Sequence, residues 1–103
     1  MATNKAYVEY IMEKLKAIGD FSYRPMMGEY VVYYKGKVIG GLYDNNFLLK
    51  TTKAAETFLE NISLEVPYSG AKPMIMIDIE ENKNLKDLFE AMYLELPEPK
   101  KKK

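Results

Sequence analysis

The sequence contains no histidine, no cysteine and no tryptophan, and its only arginine is Arg24. Without histidine, the commonest general base and zinc ligand is missing. Without cysteine there is no disulfide, no thiol nucleophile and no soft metal ligand. A metal would have to rest on carboxylates, the ligands of calcium and magnesium. The one acidic cluster, Asp78, Glu80 and Glu81, is interrupted by Ile79 and matches no calcium-loop spacing. It reads instead as a helix N-terminus, where negative charge is favoured. Phosphate loops are also lacking: Gly36, Gly40 and Gly41 fall within a hairpin, and no GK[ST] follows them. The Gly40-Gly41 pair reads as a bulge or a close backbone approach. Ser-His-Asp chemistry is excluded, and nothing places a lysine beside Ser22 or Ser69. Paired carboxylates could run glycoside hydrolysis, but 103 residues leave little room for a deep sugar cleft. The expectation is a protein with no catalytic residue, metal or cofactor, and not an enzyme.

Long apolar runs are missing too. The longest, such as Met74–Ile77, are far too short to span a bilayer. No secretory signal precedes the amphipathic segment that starts near Lys5, so a cytoplasmic location is expected. Net charge is zero, with 15 basic and 15 acidic side chains. Four of the basic groups are Lys100, Lys101, Lys102 and Lys103, so residues 1–99 carry 11 basic against 15 acidic groups. An acidic body with a basic tip is a poor match to a dedicated DNA-binding surface.

What is present is a foldable alternation of elements. Hydrophobic residues make up 48% of the chain, enough for one core and too many for disorder. Tyr7, Val8, Ile11, Met12, Leu15 and Ile18 recur at helical spacing and predict a helix over 4–18, capped by Thr3 or Asn4 and closed by Gly19. Extended segments are expected at 21–26, an edge strand because of Pro25, then at 30–34, 38–43 and 47–50. Lys35-Gly36 and Asp44-Asn45-Asn46 are the turns between the last three. A second helix is expected near 52–62 with the stripe Ala55, Phe58, Leu59 and Ile62. Residues 64–73 read as a turn, with a short strand before it, and 74–79 as a buried strand. A last helix near 82–95 carries Leu85, Leu88, Phe89 and Met92, with Leu96 beyond and Pro97 as the stop. The fold class is α+β: a mainly antiparallel sheet of four to six strands with three helices, in one domain over 1–97, and a disordered lysine tail over 98–103.

The nine tyrosines bear on the sheet. Tyr30, Val32 and Tyr34 alternate with Val31 and Tyr33, and Val38 and Leu42 alternate with Ile39 and Tyr43. Neither face is polar, whereas a sheet with one wet face alternates apolar and polar. Both faces should therefore be covered. Either the first helix seals the far side, or a second copy does. A homodimer is expected, with Tyr33, Ile39 or Tyr43 near its centre.

The segment Tyr23-Arg24-Pro25-Met26-Met27-Gly28-Glu29-Tyr30, continued by Val31-Val32-Tyr33-Tyr34-Lys35-Gly36-Lys37-Val38-Ile39-Gly40-Gly41-Leu42-Tyr43-Asp44-Asn45-Asn46-Phe47-Leu48-Leu49-Lys50, resembles the N-terminal domain of the TfoX/Sxy family. That family shows an Arg, then Met-Phe-Gly-Gly, a Tyr-rich strand, a short turn and further apolar strands. Here Met26-Met27-Gly28 stands for Met-Phe-Gly and Lys35-Gly36 for the turn. Pro67-Tyr68-Ser69-Gly70 before the Met74 strand resembles the family's later hairpin. The resemblance spans about 5–97 and implies helices on an antiparallel sheet, a two-layer shape similar to secretion chaperones. Two-domain members regulate natural competence by helping a transcription factor at particular promoters. The resemblance is to a standalone N-terminal domain, without their second domain.

Three functions compete. The first is a non-enzymatic regulatory module with a protein partner, a transcription factor or RNA polymerase component, contacted through Arg24, Met27, Gly28, Tyr30, Tyr33, Ile39 and Tyr43. Arginine is enriched at interface hot spots. The second is weak nucleic-acid binding through Lys100 to Lys103, where no aromatic residue offers a stacking platform. The third is a small-molecule site in a Tyr- and Met-lined pocket.

Overall fold

The computed structural model describes residues 3–59, 62–80 and 84–97. The chain runs α1 (Lys5–Ile18), β1 (Phe21–Met26), β2 (Glu29–Tyr34), β3 (Lys37–Tyr43), β4 (Asn46–Leu49), α2 (Lys53–Phe58), β5 (Ser63–Glu65), β6 (Met74–Ile77), α3 (Leu85–Tyr93). One antiparallel sheet of six strands results, in the order β1-β2-β3-β4-β6-β5. The expected α+β class, sheet and three helices are all present.

The first four strands form a meander because each pair is joined by a two-residue turn with positive φ at both positions. The turns are Met27-Gly28, Lys35-Gly36 and Asp44-Asn45. Such turns match the right-handed twist of the strands they join. The first was not expected from the sequence: Met27, with φ 53°, is a side chain that rarely takes this conformation. Pro25 sits on the edge strand β1, opposite Tyr30, where a missing N–H does least harm.

All three helices lie on one face. Val8, Ile11, Met12 and Leu15 of α1 and Leu85, Leu88, Phe89 and Met92 of α3 share a single core with Phe21, Val32, Tyr34, Ile39, Leu42, Phe47, Leu49, Ile75 and Ile77 of the sheet. Asn4 caps α1 by accepting the Ala6 N–H at 2.7 Å. The first helix therefore does not seal the far side. α2 is shorter than expected. It ends at Phe58, and Leu59 turns extended and enters the core while Phe58 and Ile62 are left exposed. A helix this short is held by its caps more than by propensity. Thr52 accepts the Ala55 N–H, and the Glu95 carboxylate takes the N–H groups of Lys53 and Ala54 at 2.9 and 2.8 Å. The last helix, expected near 82–95, runs only from Leu85 to Tyr93, since Asn84 before it is left-handed; residues 81–83 and the lysine tail lie outside the described residues.

Between β2 and β3 the register shifts: Val32 pairs with Gly40, Tyr33 with Val38, and Ile39 is the extra residue. This bulge inverts the alternation expected for β3. Ile39 and Leu42 both enter the helix-side core, with no exposed surface, while Val38 and Tyr43 lie on the other face. Gly40 is required there, since a Cβ on it would stand 2.0 Å from the Leu48 carbonyl oxygen.

Candidate interaction face

Direct pairing across the sheet defines what lies on the face away from the helices. One row runs Arg24, Val31, Gly41, Leu48, Met76, Ser63 from edge to edge. In the neighbouring row Ser22 and Tyr33 sit beside Val38, and at the far edge Met74 sits beside Glu65. Apolar side chains thus dominate the middle and polar ones the two edges. Val31, Tyr33, Val38, Met74 and Met76 are half-buried, and Arg24 and Glu65 are exposed.

Tyr43 and Leu48 are buried on this face without any helix above them. Tyr43 folds back along β3, so that a Cβ on Gly41 would come within 2.5 Å of its ring. The 66–73 loop then returns over the same region and sets Tyr68 against Tyr43, with ring centroids 6.3 Å apart. Leu48 retains only 2% of its exposure. Burial, and then the charges of Tyr68 and Glu29, push the Tyr43 hydroxyl above its ordinary pKa. The phenol therefore stays neutral throughout the physiological range. It presents an apolar wall with a hydrogen-bonding tip.

The contact residues expected from sequence divide into three sets. Arg24, Tyr33 and Tyr43 do share this face. Tyr30 and Ile39 do not: Tyr30 packs against the helix-side core, edge-on to Tyr23 at 5.7 Å, and Ile39 is inside that core. Met27 and Gly28 form the β1–β2 turn tip, with Met27 98% exposed. Leu48, Met76 and Tyr68 were missed. The pairing of β4 with β6 and the return of the loop are long-range events that local pattern does not encode. Lys100, Lys101, Lys102 and Lys103 lie outside the described residues.

Two of the clefts among the described residues bear on the tyrosines and carboxylates singled out above. One, of about 480 Å³, lies between α1 and the β4–β6 end, lined by Tyr7, Tyr10, Asn46, Ser63, Asp78 and Glu80. Burial and then the Asp78 charge raise the Tyr7 pKa. The Asp78 carboxylate accepts the Glu80 N–H at 2.9 Å in a turn, where the sequence suggests a helix N-terminus. The other, of about 360 Å³, adjoins the loop and is lined by Tyr43, Tyr68, Met74, Lys50 and Lys72. Thr51, Thr52, Glu95 and Pro97 complete its mixed polar and apolar lining. No group of three or more carboxylates among the described residues is disposed to hold a metal ion. No described helix is long and apolar enough to cross a membrane.

A polar latch on the helix side completes the chemistry. Tyr34 and Lys35, at the β2–β3 turn, both reach Glu90 of α3: the Tyr34 hydroxyl donates to its carboxylate, and the Lys35 ammonium lies 2.7 Å from it. The hydrogen bond from Lys35, then that from Tyr34, hold the Glu90 carboxyl below the ordinary carboxylate value. Lys37, almost fully buried, donates to the Tyr93 carbonyl and stacks 4.1 Å over its ring.

Comparison with known proteins gives one relative. The uncharacterized 12.7 kDa protein in the trpE 5′ region of Spirochaeta aurantia is 36% identical over 105 residues, an alignment that covers 100% of this chain and 91% of that protein. The chain belongs to the family of that protein. No protein-family model matches the chain, and no solved structure does.

Proposed function

We propose that this protein is a non-enzymatic, cytoplasmic interaction module that docks a protein through the helix-free face of its sheet. The observation that carries this reading is the composition of that face. Val31, Tyr33 and Val38 on β2 and β3, and Met74 and Met76 on β6, stand partly open on either side of the buried Tyr43 and Leu48, with Arg24, Ser63 and Glu65 exposed at the edges. Apolar groups left partly open on a face with no helix over it mark an interaction surface. Aromatic, Met and Arg side chains are the types enriched where partners bind. The resemblance of residues 23–50 to the TfoX/Sxy N-terminal domain supports a regulatory role. The absence of histidine and cysteine from the sequence supports the non-enzymatic part.

Photo-crosslinking tests this. A benzophenone amino acid placed at Tyr33 should give discrete protein adducts in cells, whereas the same group at Tyr10, exposed on α1, should not. Equal labelling from both positions, or none from Tyr33, would overturn the reading.

A further inference from the structure

We propose that the helix-free face is occupied by a second copy of this chain, related by a two-fold axis running along the strands. The proposal rests on the reading of that face as the docking surface and names its occupant. The face is self-complementary in two independent ways. First, its edges carry opposite charge. Arg24 on β1 and Glu65 on β5 are both exposed on this face, and neither has an ion-pair partner among the described residues. Second, its two halves differ in relief. Ser22 and Arg24 of β1 are exposed and Val31 and Tyr33 of β2 partly open, while the 66–73 loop rises from the β5–β6 side and sets Tyr68, 57% exposed, against Tyr43 of β3.

A two-fold axis along the strands sets each copy's β1 over its partner's β5. Each Arg24 then faces the partner edge that holds Ser63 in its own row and Glu65 two residues along. That offset is about 7 Å, within the reach of an extended arginine. The same operation sets each β1–β2 side opposite the partner's loop-bearing β5–β6 side. An axis across the strands would instead put Arg24 on Arg24 and loop on loop, so charge and relief both select the first arrangement. Joining sheets edge to edge is disfavoured at both ends, because Pro25 interrupts β1 and β5 is three residues long. Six strands about 4.8 Å apart and about 17 Å long offer roughly 500 Å² per copy, near the lower bound for a specific interface before the loop is added. The pair should therefore form reversibly.

Sedimentation equilibrium at micromolar concentration tests this with the intact chain. The wild type should move with concentration from 11.9 kDa towards twice that mass. Arg24→Glu and Glu65→Arg should each weaken association by at least about tenfold, since each sets like charges together twice. An equimolar mixture of the two variants should associate like the wild type, because the mixed pair has opposite charges at both contacts. Unchanged far-UV circular dichroism should accompany each variant, as both positions are exposed. A wild-type mass that stays at 11.9 kDa, single variants that associate unchanged, or a mixture no better than its components would each overturn the proposal. Adducts from Tyr33 to a different protein, with the chain itself monomeric, would sink the second copy and leave the docking face standing.

Discussion

Tyr43 lies across Gly41, two residues before it on β3, and Gly41 in turn pairs with the buried Leu48 of β4. The neighbouring Gly40 faces the β4 backbone even more closely, while Gly36, with φ +86°, has open space around it. Alanine substitutions should therefore follow a series. Gly36→Ala should cost about 1 kcal/mol, from backbone conformation alone. Gly41→Ala should cost about 2 kcal/mol, as the Tyr43 ring is displaced and the Tyr30 carbonyl oxygen 2.7 Å away must also yield, and Gly40→Ala about 3 kcal/mol or more as β4 itself must shift. Urea denaturation measures all three. A neutral Gly40→Ala would be incompatible with the bulge at Ile39.

Phe89 is fully buried and meets Phe21 edge-on at 5.2 Å. Phe89→Ala should cost roughly 3–5 kcal/mol, the range for aromatic truncation in a core. A loss under about 1 kcal/mol in the same denaturation assay would mean that α3 does not pack by this stripe.

The Tyr34–Glu90–Lys35 latch makes stability pH-dependent at both ends. The Glu90 pKa is lowered in the folded state, so its contribution is present above the ordinary value of 4.5 and is lost as pH falls through the lowered folded value. Burial first, then the hydrogen bond to Glu90, raise the Tyr34 pKa above 10.0, and the Lys35 pKa is raised above 10.5. Their contributions are present at lower pH and are lost as pH rises through those folded values. Glu90→Gln should flatten the acid limb of thermal stability measured from pH 3 to 7, a window set by ordinary carboxylate titration. An acid limb identical in variant and wild type would show that Glu90 is not coupled to folding.

Much of this architecture is legible locally. The stripe Val8, Ile11, Met12, Leu15 and the stripe Leu85, Leu88, Phe89, Met92 both name their buried faces, and Pro25 marks an edge. Period-two reading of β3 fails because one extra residue, Ile39, exchanges the faces of the two halves of the strand. Met27-Gly28 is hidden as a turn because Met is seldom placed at positive φ. The latch and the Tyr43–Tyr68 contact join residues 56 and 25 positions apart respectively, beyond the reach of any local pattern. At the interaction face, Arg24, Tyr33 and Tyr43 are readable as surface-lining types. Met76, Leu48 and Glu65 emerge only once β6 is seen between β4 and β5.

The docking face itself is measured most directly by methyl NMR with a soluble paramagnetic agent. The methyls of Val31 and Val38 report on the face, Ile39 on the core beneath it, and Leu94, 82% exposed on the helix side, on open solvent. At high protein concentration Val31 and Val38 should be shielded almost as well as Ile39, and should lose that shielding on dilution while Leu94 stays fully broadened throughout. Broadening of Val31 and Val38 that is independent of concentration would contradict a face covered by a second copy.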